Sequence, residues 1–288
     1  MGTVLQFNDD PIKLETWISN LKGTDIKYLT KRREALVRIR DLFPFFHIKS
    51  NPIIQKNNLE IISILRNNLK SETDENIKIQ IVNLLGVFGC CYSIEVEGIL
   101  IDLISQLKCK KKSIKSAILK SLETINSSKK IKKSIKKILE EICIEELANT
   151  NAQVRINSLE LLCKIVDVES SSMDRLQKIY SHFSSADSDP RVRWNSLKCL
   201  LILHQRGFCL DIDLYKQAVE ALNDDYHQVR YHALELIWIL CNLHPSYVFI
   251  TLREEQSRLV DDGFFSITIH LFPFPFPSFF SFHIFNSI

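Results

Sequence analysis

Apolar and small residues recur along this chain in one fixed phrase. Counted from each Val or Ile that is followed by Lys or Arg, they stand at i, i+4, i+7, i+8 and i+11. The phrase reads Ile77, Ile81, Leu84, Leu85, Phe88, then Ile114, Ile118, Ser121, Leu122, Ile125. It returns as Val154, Ser158, Leu161, Leu162, Ile165, as Val192, Ser196, Cys199, Leu200, Leu203, and as Val229, Ala233, Leu236, Ile237, Leu240. These offsets trace one stripe of an α-helix. The residue after each start is basic: Lys78, Lys115, Arg155, Arg193 and Arg230.

The starts lie at 77, 114, 154, 192 and 229, so the steps are 37, 40, 38 and 37 residues. A weaker sixth copy begins near Lys31, with Arg32, Ala35, Ile39 and Leu42, and a longer connection is expected between Pro44 and Pro52. Self-similarity at about 40 residues with two helices per unit is the signature of HEAT and armadillo arrays. The partner helices are predicted over 13–22, 58–70, 95–107, 129–147, 173–183 and 211–222. One helical hairpin cannot bury both of its apolar faces, so each must stack on its neighbours. The expectation is an all-α, HEAT/armadillo-type α-solenoid of about six helical-hairpin repeats over residues 1–262. The polar stretches 169–172 and 184–188 read as turns between helices.

The pattern stops at Gly263. From there to Ile288 the chain has no Lys, Arg, Asp or Glu, and Pro273, Pro275 and Pro277 alternate with Phe. Alternating proline forbids a helix or a central strand, and a membrane-spanning helix needs about 20 uninterrupted apolar residues. Residues 263–288 are therefore expected to be a disordered low-complexity Phe/Pro/Ser tail or an artefact of gene prediction.

Composition sharpens this picture. Only 7 Gly and 8 Pro among 288 residues suit long helices with short turns and oppose a Gly-rich nucleotide fold. A net charge of +3 excludes a polyelectrolyte binder of the whole-protein kind. The eight cysteines show neither Cys-x-x-Cys spacing nor a disulfide framework, which implies a reducing compartment. Residues 1–10 have no basic region followed by an apolar one, so no signal peptide is expected.

Two charged features invite a functional reading. The first is the register set Arg155, Asp189, Pro190, Arg193, Asp225 and Arg230. Asp189 before Pro190 suits an N-cap followed by proline at the first helical position. Asp74 and either Asp224 or Asp225 can cap in the same way. Each arginine is expected to pair with a turn aspartate, its own or a neighbour's, and so to hold repeats in register. The alternative is a ladder of cations facing an acidic partner. The second feature is the run 108–137, with twelve Lys against Glu123 alone. Lys110, Lys111, Lys112, Lys129, Lys130, Lys132, Lys133, Lys136 and Lys137 form the candidate basic surface, and 129–139 reads as an amphipathic basic helix. Phosphate-backbone contact, another polyanion, an acidic protein or a nuclear localisation signal would all use such a tract. The plainer alternative is a solvated face balanced by Glu140, Glu141, Glu145 and Glu146. No aromatic residues interleave with the lysines, which argues against base-specific readout.

No catalytic pairing, phosphate loop or dinucleotide turn is present, so no enzyme, cofactor or metal is predicted. His227 and His232 are five apart and point to diverging faces. Trp194, Tyr231 and Trp238 flank the core stripe and read as core or groove-lining side chains.

One combination is more specific than a generic repeat. Asp187-Ser188-Asp189-Pro190-Arg191-Val192-Arg193, Leu203-His204-Gln205-Arg206-Gly207, Leu222-Asn223-Asp224-Asp225-Tyr226-His227-Gln228-Val229-Arg230, Leu236-Ile237-Trp238 and Arg258-Leu259-Val260-Asp261-Asp262 occur in that order. Together they resemble the Integrator complex subunit 4 family, most clearly over 187–264. The resemblance implies a nuclear, non-catalytic scaffold. Its expected partners are other Integrator subunits, chiefly a metallo-β-lactamase-type nuclease pair that cleaves RNA in small nuclear RNA 3′-end processing and transcription termination. After Phe264 the chain departs from the family pattern, so a truncated N-terminal part is expected. A different HEAT adaptor for nuclear transport or a phosphatase is the rival reading, and a HEAT-like nucleic-acid-processing enzyme is a more distant one.

Overall fold

The computed structural model describes residues 11–22, 29–46, 52–92, 95–167 and 173–244. Contacts divide the chain into one unit of residues 1–240 and another of 241–288, and of the second only residues 241–244 are described. The predicted tail, the boundary at 262, the turn at 169–172, residues 1–10 and the Arg258–Asp262 motif lie outside the described residues.

Among the described residues the secondary structure is helical throughout. The helices are α1 (Pro11–Lys22), α2 (Leu29–Phe46), α3 (Pro52–Ser71), α4 (Glu75–Cys91), α5 (Val96–Gln106), α6 (Lys112–Ser128), α7 (Lys133–Glu146), α8 (Ala152–Ile165), α9 (Met173–Ala186), α10 (Pro190–Gln205), α11 (Leu214–Ala221) and α12 (His227–Leu243). They pair as antiparallel hairpins, α1 with α2 through α9 with α10, in an all-α HEAT/armadillo-type solenoid. The even-numbered helices form one layer, in which α2 packs on α4, α4 on α6, α6 on α8 and α8 on α10. The odd-numbered helices form the other, with α1 on α3, α3 on α5 and α9 on α11.

Several helix boundaries differ from expectation, and α9 runs on to Ala186, so only 187 and 188 of the expected turn at 184–188 lie outside a helix. Helix α7 starts at Lys133 rather than 129, because Lys129 and Lys132 adopt extended backbone as the C-cap of α6 and the N-cap of α7. Helix α3 starts at Pro52, where proline suits a first turn. Helix α2 continues through Pro44 to Phe46, so the connection before α3 is shorter than expected.

The repeated stripe faces the hairpin core. Each of its residues is buried in α4, α6, α8 and α10, and in α12 all but Ile237 are. Small residues at i+4, namely Ser158, Ser196 and Ala233, are fully buried where helices approach. Tyr180 crosses the layers, donating its hydroxyl proton to the Leu159 carbonyl at 3.0 Å, so its burial leaves no unpaired polar group.

A second flank of each even-numbered helix carries the stack forward. Its i+5 position holds Val82, Leu119, Leu159 and Leu197, and its i+9 position holds Gly86, Glu123, Cys163 and Leu201, all buried. Opposite them stand i+3, i+7 and i+11 of the following helix. The Ser121 hydroxyl donates to the Val82 carbonyl at 3.2 Å, Asn157 donates to the Ser116 carbonyl at 2.8 Å, and the Cys163 thiol points at the Cys199 carbonyl at 3.4 Å. Trp194 stacks on His232 with centroids 5.6 Å apart, so α10 and α12 meet in the same register.

Gly86 is required by this approach. A methyl group there would lie 2.8 Å from both Cβ and Oγ of Ser121. Overpacked sites of this kind cost about 1–3 kcal/mol. Gly86→Val is expected to lower the thermal midpoint in circular dichroism, and Gly86→Val with Ser121→Gly to recover most of the loss.

Candidate interaction surface

The turns before α4, α8, α10 and α12 share a construction. A side-chain oxygen accepts the backbone N–H two residues on: Glu72 from Asp74 at 2.9 Å, Asn149 from Asn151 at 3.0 Å, Asp187 from Asp189 at 2.8 Å and Asp224 from Tyr226 at 2.9 Å. Such local bonds replace the helical bonds that these residues cannot make. The next polar side chain then caps the helix, Asp74 accepting from Ile77 at 2.9 Å, Asn151 from Val154 at 3.2 Å and Asp189 from Arg191 at 2.9 Å.

The arginine at i+1 joins this turn to the following one. Arg155 donates through Nη1 to the Asn149 carbonyl at 2.9 Å in its own repeat. Its Nε and Nη2 clasp both carboxylate oxygens of Asp187, each at 2.7 Å, in the next repeat. Arg193 repeats the arrangement, with Nη1 on the Asp187 carbonyl at 2.9 Å and the fork on Asp224 at 2.6 and 2.9 Å. Two planar forks in series fix distance and angle together. Arg230 reaches the carbonyls of Asp224 at 2.6 Å and Asp225 at 2.9 Å. Asp225 therefore enters the ladder through its carbonyl, and Asp224 supplies the carboxylate. Pro190 is the first residue of α10, and Asp189 also holds Arg191 at 2.8 Å.

Lysine versions of the rung differ. Lys115 pairs with Glu146. Between α4 and α6 the polarity is reversed, because the turn 107–111 contains no acid. There Glu75 of α4 accepts from Ser113 and pairs with Lys111 at 3.3 Å. Arg206 is a joint that periodicity alone does not show. It donates to the carbonyls of Cys163 and Val166, the latter at 2.5 Å, and so closes the C-terminal end of α8 from the following repeat. Gly207 after it has φ of 92°, the left-handed conformation that ends α10.

The lysine run does not form one surface. Helix α6 separates Lys110, Lys111 and Lys112 from Lys129, Lys130, Lys132 and Lys133 by about 25 Å, at 1.5 Å per residue over its 17 residues. Several of the lysines are structural. Lys132 pairs with Glu97 at 2.7 Å, Lys136 with Asp167 at 2.5 Å, and Lys120 with Glu123 at 2.6 Å. Among the described residues no carboxylate lies within ion-pair distance of Lys110, Lys112, Lys130, Lys133 or Lys137, and all five are exposed. Lys133 and Lys137 are one turn apart on α7, with Lys130 in the turn before it.

Electrostatics follow this geometry. The hydrogen bonds from Arg193 hold the Asp224 carboxyl below its ordinary range, and those from Arg191 do the same for Asp189. The backbone N–H of Ile77 lowers Asp74. Burial pushes the Cys143 thiol up, and Cys143, Cys163 and Cys199 are buried free thiols. His232 faces Glu235 at 2.9 Å and stacks on Trp194, which accounts for its position beside the core. Among the described residues no cluster of three or more His, Cys, Asp or Glu could hold a metal, and no helix is long and apolar enough to cross a membrane.

No family model matches the chain. Curated relatives do. It is 34% identical over 215 residues to Integrator complex subunit 4 of Mus musculus, covering 71% of this chain and 22% of the relative. The Homo sapiens protein of that name is 33% identical over 214 residues with the same coverage. A Dictyostelium discoideum homolog of that subunit is 30% identical over 261 residues, covering 87% of this chain and 20% of the relative. Over the matched span the chain belongs to the Integrator complex subunit 4 family. It spans about a fifth of the length of these relatives. For the fold, the crystal structure of an engineered protein is similar with a TM-score of 0.53 at 14% identity, covering 80% of this chain and 97% of that one.

The ladder of this subunit 4 relative carries a stability prediction. Arg155 and Asp187 side chains are 11% and 5% exposed, so removing either partner strands a nearly buried charge. Arg155→Met or Asp187→Leu alone is expected to cost about 3–5 kcal/mol, and the double variant to recover most of it, as read by denaturant melts in a double-mutant cycle. For Asp224 the folded-state value is depressed, so its stabilisation is complete above the ordinary aspartate value and is lost as pH falls through the lower folded value. Asp224→Asn is expected to flatten the acid limb of a stability-versus-pH curve below about pH 4.

Proposed function

We propose that this chain is a non-catalytic protein-binding scaffold that works in the nucleus within the Integrator complex. In this reading it helps to assemble the RNA endonuclease module for small nuclear RNA 3′-end processing and transcription termination. Its partners are other Integrator subunits, chiefly the metallo-β-lactamase-type nuclease pair. The observation that carries the reading is the similarity to subunit 4 across most of the helical stack. The fold supports it in physical terms. A solenoid of rigidly jointed hairpins offers long helix edges and turn rows, on which extended partners can be held without a deep pocket.

A weak polyanion contact fits the turn before α7. Lys130, Lys133 and Lys137 are exposed and close in sequence, while Lys132 and Lys136 are engaged with Glu97 and Asp167. The contact would be with the phosphate backbone and strongly salt-dependent.

Two measurements test these proposals. Affinity purification of the tagged chain from nuclear extract is expected to recover Integrator subunits, with the nuclease pair among them. Recovery of transport cargo or phosphatase subunits instead would reject the reading. Changing Lys130, Lys133 and Lys137 together to Glu is expected to weaken single-stranded RNA binding roughly tenfold at low salt while leaving the helical signal intact. Equal binding by the variant would remove the lysines from the account.

A further inference from the structure

We infer that Cys163 of α8 and Cys199 of α10 are a redox-active dithiol, which hydrogen peroxide converts into a disulfide bond that staples two neighbouring repeats. The register between even-numbered helices is the first observation. It sets the i+9 residue of one helix against the i+7 residue of the next. Between α4 and α6 that pair is Gly86 and Ser121, and a Cβ on Gly86 would lie 2.8 Å from the Cβ of Ser121. Disulfides join β-carbons about 3.5–4.5 Å apart. A register that brings β-carbons this close has only to relax slightly to seat one. Between α8 and α10 the same two positions are Cys163 and Cys199.

The sulfur chemistry is the second observation. Both residues are buried free thiols. The Cys163 thiol points at the Cys199 carbonyl at 3.4 Å, and the Cys199 thiol points at Asn195 Oδ1 at 3.4 Å. The two side chains also hydrogen-bond to each other. Their electrostatics differ. Contact with the Cys199 thiol, helped by the cations Arg206 and Lys164, holds the Cys163 thiol below its ordinary range in spite of burial and Glu160. Contact with Cys163 and burial push Cys199 well above that range. The thiolate is the attacking form, so Cys163 attacks and Cys199 resolves.

The Cys163 thiolate attacks one peroxide oxygen, the O–O bond breaks, and the released hydroxide takes a proton to become water. The Cys199 thiol then attacks the sulfenic sulfur of Cys163. The S–S bond forms, the S–O bond breaks, and a second water leaves with the Cys199 proton. Two electrons pass from the sulfurs to peroxide, and an added dithiol returns them. Each cysteine is 1% exposed, so peroxide enters only when α10 lifts from α8. The Arg155–Asp187 fork joins the same two repeats, and its opening therefore sets the rate.

The full chain is treated with hydrogen peroxide, alkylated and digested with trypsin without reduction. A linked peptide joining residues 156–164 to 199–206 is expected, and dithiothreitol is expected to separate it. Cys199→Ser is expected to leave Cys163 as a sulfenic acid that dimedone traps, whereas Cys163→Ser leaves Cys199 a thiol, both with unchanged helicity. Linkage is expected about tenfold faster in Arg155→Met, or in the unaltered chain in urea below its unfolding transition should that variant not fold. The oxidised chain is expected to melt at a higher temperature than the reduced one. Absence of the linked peptide even in the opened seam, linkage of either cysteine to Cys143, or a rate that opening leaves unchanged overturns the proposal. So does a dimedone adduct on Cys199 in Cys163→Ser, or a lower melting temperature after oxidation. The assay contains no Integrator subunit, so its outcome is separate from that of the scaffold reading.

Discussion

A helix in the even-numbered layer is apolar on two flanks, and its own hairpin partner can cover only one of them. The second flank is covered by the next even-numbered helix, so the stability of each repeat depends on its neighbour. This is the nearest-neighbour logic of a solenoid, and here it is visible residue by residue. Gly86 admits Ser121, Ser116 holds Asn157, Cys163 meets the Cys199 carbonyl, and Trp194 receives His232. The contacting chemistry changes at each step while the register does not.

The arginine forks set that register. A nearly buried ion pair adds little net stability relative to a well-packed apolar pair, because desolvation offsets the attraction. Its contribution is directional. A fork closed on Asp187 or Asp224 tolerates neither a one-residue slip nor a large rotation between repeats. The third bond of each guanidinium, to a carbonyl in its own turn, aims the fork before the neighbour arrives. Arg206 does similar service at the other end of the hairpin by closing the carbonyls of α8.

The core stripe was legible in the sequence because burial there demands one residue class at every repeat. The second flank, which meets the next even-numbered helix, was not, because its i+9 position is Gly86, Glu123, Cys163 and Leu201 in turn, and no single class marks it. The fork partners were half legible. The aspartates stood out as caps, but the carboxylate that meets Arg193 is Asp224, 31 residues on, and only stacking brings it near. The lysine run misled in the opposite way. Its members are neighbours in sequence, yet a 17-residue helix carries them to opposite ends of the repeat, and neighbouring acids hold several in place. Extended backbone at Lys129 and Lys132, which no apolar pattern could reveal, delays the start of α7. Similarity to Integrator complex subunit 4 was readable from the turn motifs, since the turns carry the joints.

For the proposed scaffold, the consequence is that rigidity is local and additive along the stack. Hydrogen exchange followed by mass spectrometry on Arg193→Met tests this most directly. The account predicts faster exchange in α10 and α12, where one fork is broken, with α4 and α6 unchanged. A uniform loss of protection across all helices would contradict it, because it would mean that the repeats stand or fall as one unit rather than through their neighbours.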